Sequence, residues 1–145
     1  MSIIYWDAMM FIYLIEGSPF FAPKVERFQR QIEHRGDTLI TSVFTLGEVL
    51  TGPRKTGDAV AVSAIKTYFA SGRVAVLPFD SGTADRYSVV RSMCKVSQPD
   101  AIHLASAAVA GADAFVTNDT ALRKLVIPGI AFMMDLDGNT HSPPP

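Results

Sequence analysis

Short apolar runs alternate along this chain with longer stretches of helical periodicity. Ile3-Ile4-Tyr5-Trp6, Thr38-Leu39-Ile40-Thr41, Val74 to Leu77, Ala114-Phe115-Val116-Thr117 and Ile130 to Met133 are rich in β-forming residues. Such runs read as strands buried on both faces of a parallel sheet. Between them, apolar residues recur at helical spacing: Phe11, Leu14 and Ile15 in Met9 to Ile15, and Val25, Phe28 and Ile32 in Pro23 to Arg35. Val62, Ile65 and Phe69 follow after Asp58, then Ala84, Tyr87, Val90 and Met93 after Asp80-Ser81. Gly17-Ser18-Pro19, Gly36-Asp37 and Gly72 supply stops, and Thr51-Gly52-Pro53 is expected to break a helix running from Val43 to Leu50. Pro99 and Asp100 open one further helix, and Thr120 to Leu125 forms a short one. Strands alternating with helices predict an α/β domain whose mainly parallel central sheet is flanked by helices on both faces.

At 145 residues the chain fits one domain. Its expected extent is 1–136, with 137–145 a frayed tail that ends in His141-Ser142-Pro143-Pro144-Pro145. The apolar opening lacks a basic start and carries Asp7 in its middle, which speaks against a signal peptide and a membrane span and makes a cytoplasmic location the expectation. A single cysteine, Cys94, allows no internal disulfide and suggests no zinc site. The formal net charge of −1 argues against a protein that coats nucleic acid through overall basicity, so any such contact must be local.

The chemistry concentrates in acids. Ligands of open α/β sheets sit beyond the carboxyl ends of the strands, and that rule selects among the 14 acidic residues. Asp7 follows the first strand, Glu48 follows the second by a turn or two of helix, and Asp119 follows the fourth. Asp100 joins them from a helix start. Each also has a plain structural reading: Asp100 complements a helix dipole, Asp119 is an N-cap ahead of Thr120, and Glu48 is a helix surface residue. Asp7 is hardest to dismiss, because Asp is depleted in strands and here lies between apolar runs. Four converging carboxylates raise one another's pKa, and a divalent cation resolves the conflict. Oxygen donors without a His or Cys cluster favour Mg²⁺ or Mn²⁺, and such a cation beside a phosphate makes a hydrolytic site. Ser42 and Asn118 are candidates for hydrogen bonds to those ligands, although both also suit turns. His103, one turn after Asp100 on an Ala-rich helix, reads as packed rather than as a ligand.

These stretches together resemble the PIN domain nucleases and, within them, the VapC-like ribonuclease toxins of type II toxin–antitoxin pairs. The resemblance runs from the strand ending in Asp7, through Ser42 to Pro53, to Pro99-Asp100-Ala101-Ile102-His103-Leu104-Ala105 and Val116-Thr117-Asn118-Asp119. It implies a PIN-like three-layer sandwich and metal-dependent endoribonuclease activity, with Asp7, Glu48, Asp100 and Asp119 matching the acidic quartet and Thr117 the hydroxyl residue near the last acid. It also implies an antitoxin partner and a homodimer surface, for which the Met9-Met10-Phe11 and Phe20-Phe21 clusters are candidates. The sequence departs from the family where a small hydroxyl residue and then Asn or Ser often follow the first Asp, since Ala8 and Met9 stand there.

RNA requires phosphate contacts, and the nearest basic pairs are Arg54-Lys55, expected in the loop after the Glu48 helix, and Arg123-Lys124 after Asp119. A nucleotide-binding domain is disfavoured because neither G-x-G-x-x-G nor a P-loop occurs. An aspartyl phosphotransferase would place a second acid where Met9 stands, and a receiver domain finds only a weak match at Pro78-Phe79-Asp80. The remaining alternative is a PIN-fold module that binds RNA or a protein partner without cutting, motivated by Ala8 and Met9.

Overall fold

The first strand, β1 (Ile3–Trp6), is the centre of a five-stranded sheet with the order β3-β2-β1-β4-β5. The computed structural model describes residues 1–140. In it β2 (Thr38–Ser42), β3 (Ala75–Leu77), β4 (Ala114–Val116) and β5 (Phe132–Met134) all run parallel to β1. Ile4 lies opposite Leu39 on one side and Ala114 on the other. The chain leaves β1 through α1 (Ala8–Glu16) and α2 (Ala22–Arg35), and leaves β2 through α3 (Val43–Thr56) and α4 (Ala59–Ala70). After β3 it crosses back through α5 (Ser81–Met93) and α6 (Gln98–Val109) to β4, then reaches β5 past the short α7 (Thr120–Arg123). The winding direction therefore reverses between β1 and β4, and a crevice opens where two such neighbours diverge.

Alternation along β1 divides the core. Ile4 and Trp6 face a layer with Met10, Phe11, Phe28, Ile65 and Phe69, whereas Tyr5 faces the opposite layer with Leu104, Ala107 and Phe115. The second layer is lined by alanines, since Ala101, Ala105 and Ala107 of α6 are fully buried. Their small side chains let α6 lie close against the sheet.

The stripes expected for α2 and α4 are the buried ones. On α5 the inward residues are Thr83 and Val90, with Tyr87 half-buried, while Ala84 and Met93 of the expected stripe are exposed. The expected break at Thr51-Gly52-Pro53 does not occur, because α3 runs on to Thr56 and stops at Gly57, whose φ of 69° is left-handed. One local feature lowers the cost of an internal proline there: Gly52, before it, has no Cβ to clash with the pyrrolidine ring. Residues 137–140 of the expected tail turn back towards β5. Asp135 accepts the amides of Asp137 and Asn139, and Thr140 bridges to Met134. The rest of the expected tail, from His141, lies outside the described residues. No helix among the described residues is long and apolar enough to cross a membrane.

Candidate active site

Parallel strands bring their carboxyl ends to one edge, which is where Asp7, Ser42 and the Thr117–Asp119 loop emerge. Asp7 ends β1 and caps α1, with Oδ1 accepting the Met9 amide at 3.2 Å. Burial lifts its carboxyl from the usual 3.8 to about 6. The electrostatic influence of His103, the Thr117 hydroxyl and the Met9 amide work against that rise, and Asp100 adds to it. Asp100 occupies the first turn of α6, which is capped by Ser97. Asp7 and Asp100 are thus near enough for one charge to disfavour the other.

The other two acids are held by protein donors. Glu48, on the second turn of α3, takes His103 Nε2 on Oε1 at 2.5 Å. His103 is itself buried, and its Nδ1 meets the Tyr5 hydroxyl at 2.7 Å. Asp119 caps α7, its Oδ1 accepting the amides of Ala121 at 2.8 Å and Leu122 at 3.2 Å. Its own amide donates to the Thr117 hydroxyl at 3.1 Å. Thr117 therefore stands between Asp119 and Asp7. No hydrogen bond joins Asp119 to the other three acids among the described residues.

Of the remaining expected residues, Ser42 is a buried cap of α3 that accepts the Phe44 amide at 3.1 Å. Asn118 donates to the Tyr13 hydroxyl at 3.4 Å and so ties the β4 loop to α1. Arg54 and Lys55 lie exposed on the last turn of α3 rather than in a loop. Arg123 is drawn away from the surface by an ion pair with Asp135 at 2.9 Å, while Lys124 remains exposed. Met9 is exposed and contributes its amide alone, and Ala8 is buried. His103 is the residue that sequence reasoning left out. Its only signal was the i, i+3 spacing from Asp100, which places both on one helix face.

The donors around this rim are carboxylate oxygens, and a desolvated carboxyl beside a second acid is the environment that a hard cation stabilises. The residues thus fit a divalent cation in kind. In position they stand apart, since among the described residues no three His, Cys, Asp or Glu side chains are close enough together to hold an ion.

Fold and rim together define an α/β domain with an acidic crevice at the switch point of a parallel sheet. A family model for the PIN domain matches residues 4–127. The chain belongs to the PIN domain family. No curated protein matches it. Among solved structures it is similar to VapBC2 from Rickettsia felis bound to a DNA fragment from their promoter, at 17% identity and a TM-score of 0.74, over 92% of this chain and 98% of that one. It is also similar to DNA-bound VapBC from Salmonella typhimurium, at 21% identity and a TM-score of 0.68, over 94% and 99% of the two chains. A third similar structure is Mycobacterium tuberculosis VapC20, a toxin that cleaves the sarcin–ricin loop, at 17% identity and a TM-score of 0.66, over 85% and 96%. At these identities the likeness establishes the fold.

Proposed function

We propose that this protein is a metal-dependent endoribonuclease and the toxin of a toxin–antitoxin pair. The observation that carries the proposal is the desolvated Asp7 carboxyl, at the switch point of a PIN fold, with Asp100 close enough to raise its proton affinity. Asp7 and Asp100 would hold Mg²⁺ or Mn²⁺, with Glu48 and Asp119 completing the donor set from either side. When bound, the cation supplies Lewis acidity that neutralises the carboxylates and polarises the phosphodiester. The chain's own residues do the rest. Thr117 supports ionised Asp7 with its hydroxyl, the Met9 amide does the same, and the α7 amides fix the Asp119 carboxylate. Arg54, Lys55 and Lys124 are the exposed cations proposed to meet RNA phosphates, with Arg123 the weaker candidate because of its pairing to Asp135.

The similar structures of toxin–antitoxin complexes support the partner half of the proposal. So does a groove of about 530 Å³ between α1, α2 and α4, where Phe11, Leu14, Ile15 and Ile65 offer an apolar floor to a partner segment. Purified protein is expected to cut RNA with Mg²⁺ or Mn²⁺, and Asp100→Asn to lose cleavage while keeping the fold. Cleavage that survives this substitution sinks the assignment. Growth arrest on expression, relieved by co-expressing a small protein encoded beside the gene, tests the toxin role.

One observation favours the second reading, a module that binds RNA or a protein without cutting: the acids are not gathered as a ready-made cation site. RNA binding without cleavage in either metal would select it.

A further inference from the structure

The geometry points to His103 as a positioning residue that fixes the Glu48 carboxylate at the rim, with Tyr5 setting the orientation of its ring. This inference rests on the nuclease reading. A carboxylate can only accept, so the 2.5 Å contact between His103 Nε2 and Glu48 Oε1 requires a hydrogen on Nε2. On the other edge, Nδ1 lies 2.7 Å from the Tyr5 hydroxyl, a phenol that carries its proton at neutral pH. In the neutral ring Tyr5 therefore donates to Nδ1, and the ring donates to Glu48.

The neighbouring hydroxyls are committed elsewhere. Thr41 Oγ1 lies 2.7 Å from the Trp6 carbonyl, which can only accept, so Thr41 donates there. Thr45 then donates to Thr41 at 2.8 Å, and its lone pair faces Nδ1 at 3.5 Å. Tyr5 remains as the one donor directed at Nδ1 among the described residues. The ring is buried on all sides, with Phe44 edge-on at 5.7 Å, so it has no room to reorient freely. Glu48 Oε1 is consequently tied to β1 and α6, and Oε2 is left for a ligand. Without this tether Glu48, partly exposed on α3, would rotate into solvent. Outer partners of this kind orient ligands and tune a site.

The test compares wild type with His103→Ala, His103→Gln and Tyr5→Phe. Gln offers an N–H within reach of the position of Nε2. Three readouts apply: Mn²⁺ affinity without RNA, kcat and KM for RNA cleavage, and the imidazole nitrogen spectrum of the wild type. Thermal melts identify any variant that fails to fold, and Gln and Tyr5→Phe keep the test decisive if Ala does. We expect His103→Ala to weaken Mn²⁺ binding about 10- to 100-fold and to lower kcat with KM unchanged. His103→Gln should restore most of both, and Tyr5→Phe should fall between. A folded His103→Ala with wild-type Mn²⁺ affinity and kcat overturns the role, as does a wild-type spectrum with Nε2 bare. A wild type that neither binds Mn²⁺ nor cuts RNA overturns the nuclease reading, and this role with it. A wild type that does both, with variants that do so equally well, overturns this role alone.

Discussion

The four acids at the rim form two unlike pairs. Glu48 and Asp119 are held by donors from the protein itself, an imidazole N–H in one case and two helix amides in the other. Asp7 has one amide at 3.2 Å and the Thr117 hydroxyl, yet burial, with a smaller contribution from Asp100, raises its proton affinity. The first pair is stable as built. Ionised Asp7 costs stability unless something positive joins it, and that imbalance suits the cation proposed for the site: fixed walls around an under-satisfied centre.

The largest effects should come from the unsatisfied pair. Under the proposed function, Asp7→Asn or Asp100→Asn should reduce kcat by on the order of 10²- to 10³-fold, measured on a cleavable RNA under single-turnover conditions. Loss of less than tenfold would remove the distinction between the pairs. The same Asp7→Asn change should stabilise the metal-free protein. A folded-state pKa raised from 3.8 to about 6 means that Asp7 holds its proton more tightly folded than unfolded. Its favourable contribution is complete below 3.8 and is lost as pH rises through about 6. At neutral pH the ionised group therefore costs up to about 3 kcal/mol, at 1.36 kcal/mol per unit. Urea titrations from pH 3 to pH 8 should show the advantage of the Asn variant growing as pH rises from 3.8 to about 6 and levelling above that; an advantage independent of pH would contradict it.

Next in size is the spacing set by α6. Ala105 is fully buried, and Ala105→Leu should overpack that layer at a cost of about 1–3 kcal/mol. It should also push Asp100 away from Asp7, lowering the Asp7 titration, followed by NMR, by the minor part that Asp100 adds to burial. A smaller effect belongs to the satisfied pair. Asp119→Ala should cost about 1 kcal/mol through loss of the α7 cap, whereas Asp119→Ser should recover that stability without recovering cleavage. If Ser restored cleavage, Asp119 would be a cap and nothing more. Smallest is Arg123→Ala, which breaks the pair that helps hold Asp135 below the usual carboxylate range against its partial burial. RNA binding should change less than on Lys55→Ala, read by filter binding at two salt concentrations.

The α/β order, the parallel sheet and the acids at strand ends were legible in the sequence because each depends on near neighbours. Apolar runs mark doubly buried strands, and helical stripes mark α2 and α4. An acid directly after a strand must reach the carboxyl edge of a parallel sheet. Other features were not legible. Pro53 sits inside α3, since Gly52 before it relieves the steric clash in a way that a simple stop signal does not weigh. Met93 proved exposed because the packing of α5 on α6 sets which face turns inward.

The sequence by itself determined which residues carry charge at the rim and which segments bring them there. Only the tertiary structure decided what each charge meets. Asp119 turned out to be both a cap and a rim acid, and Arg123 was paired with Asp135. His103, dismissed as packing, joined a carboxylate 55 residues away. Periodicity and capping act within a few residues of chain, whereas hydrogen bonds between helices depend on how layers stack on the sheet, and that information lies in no single stretch of sequence.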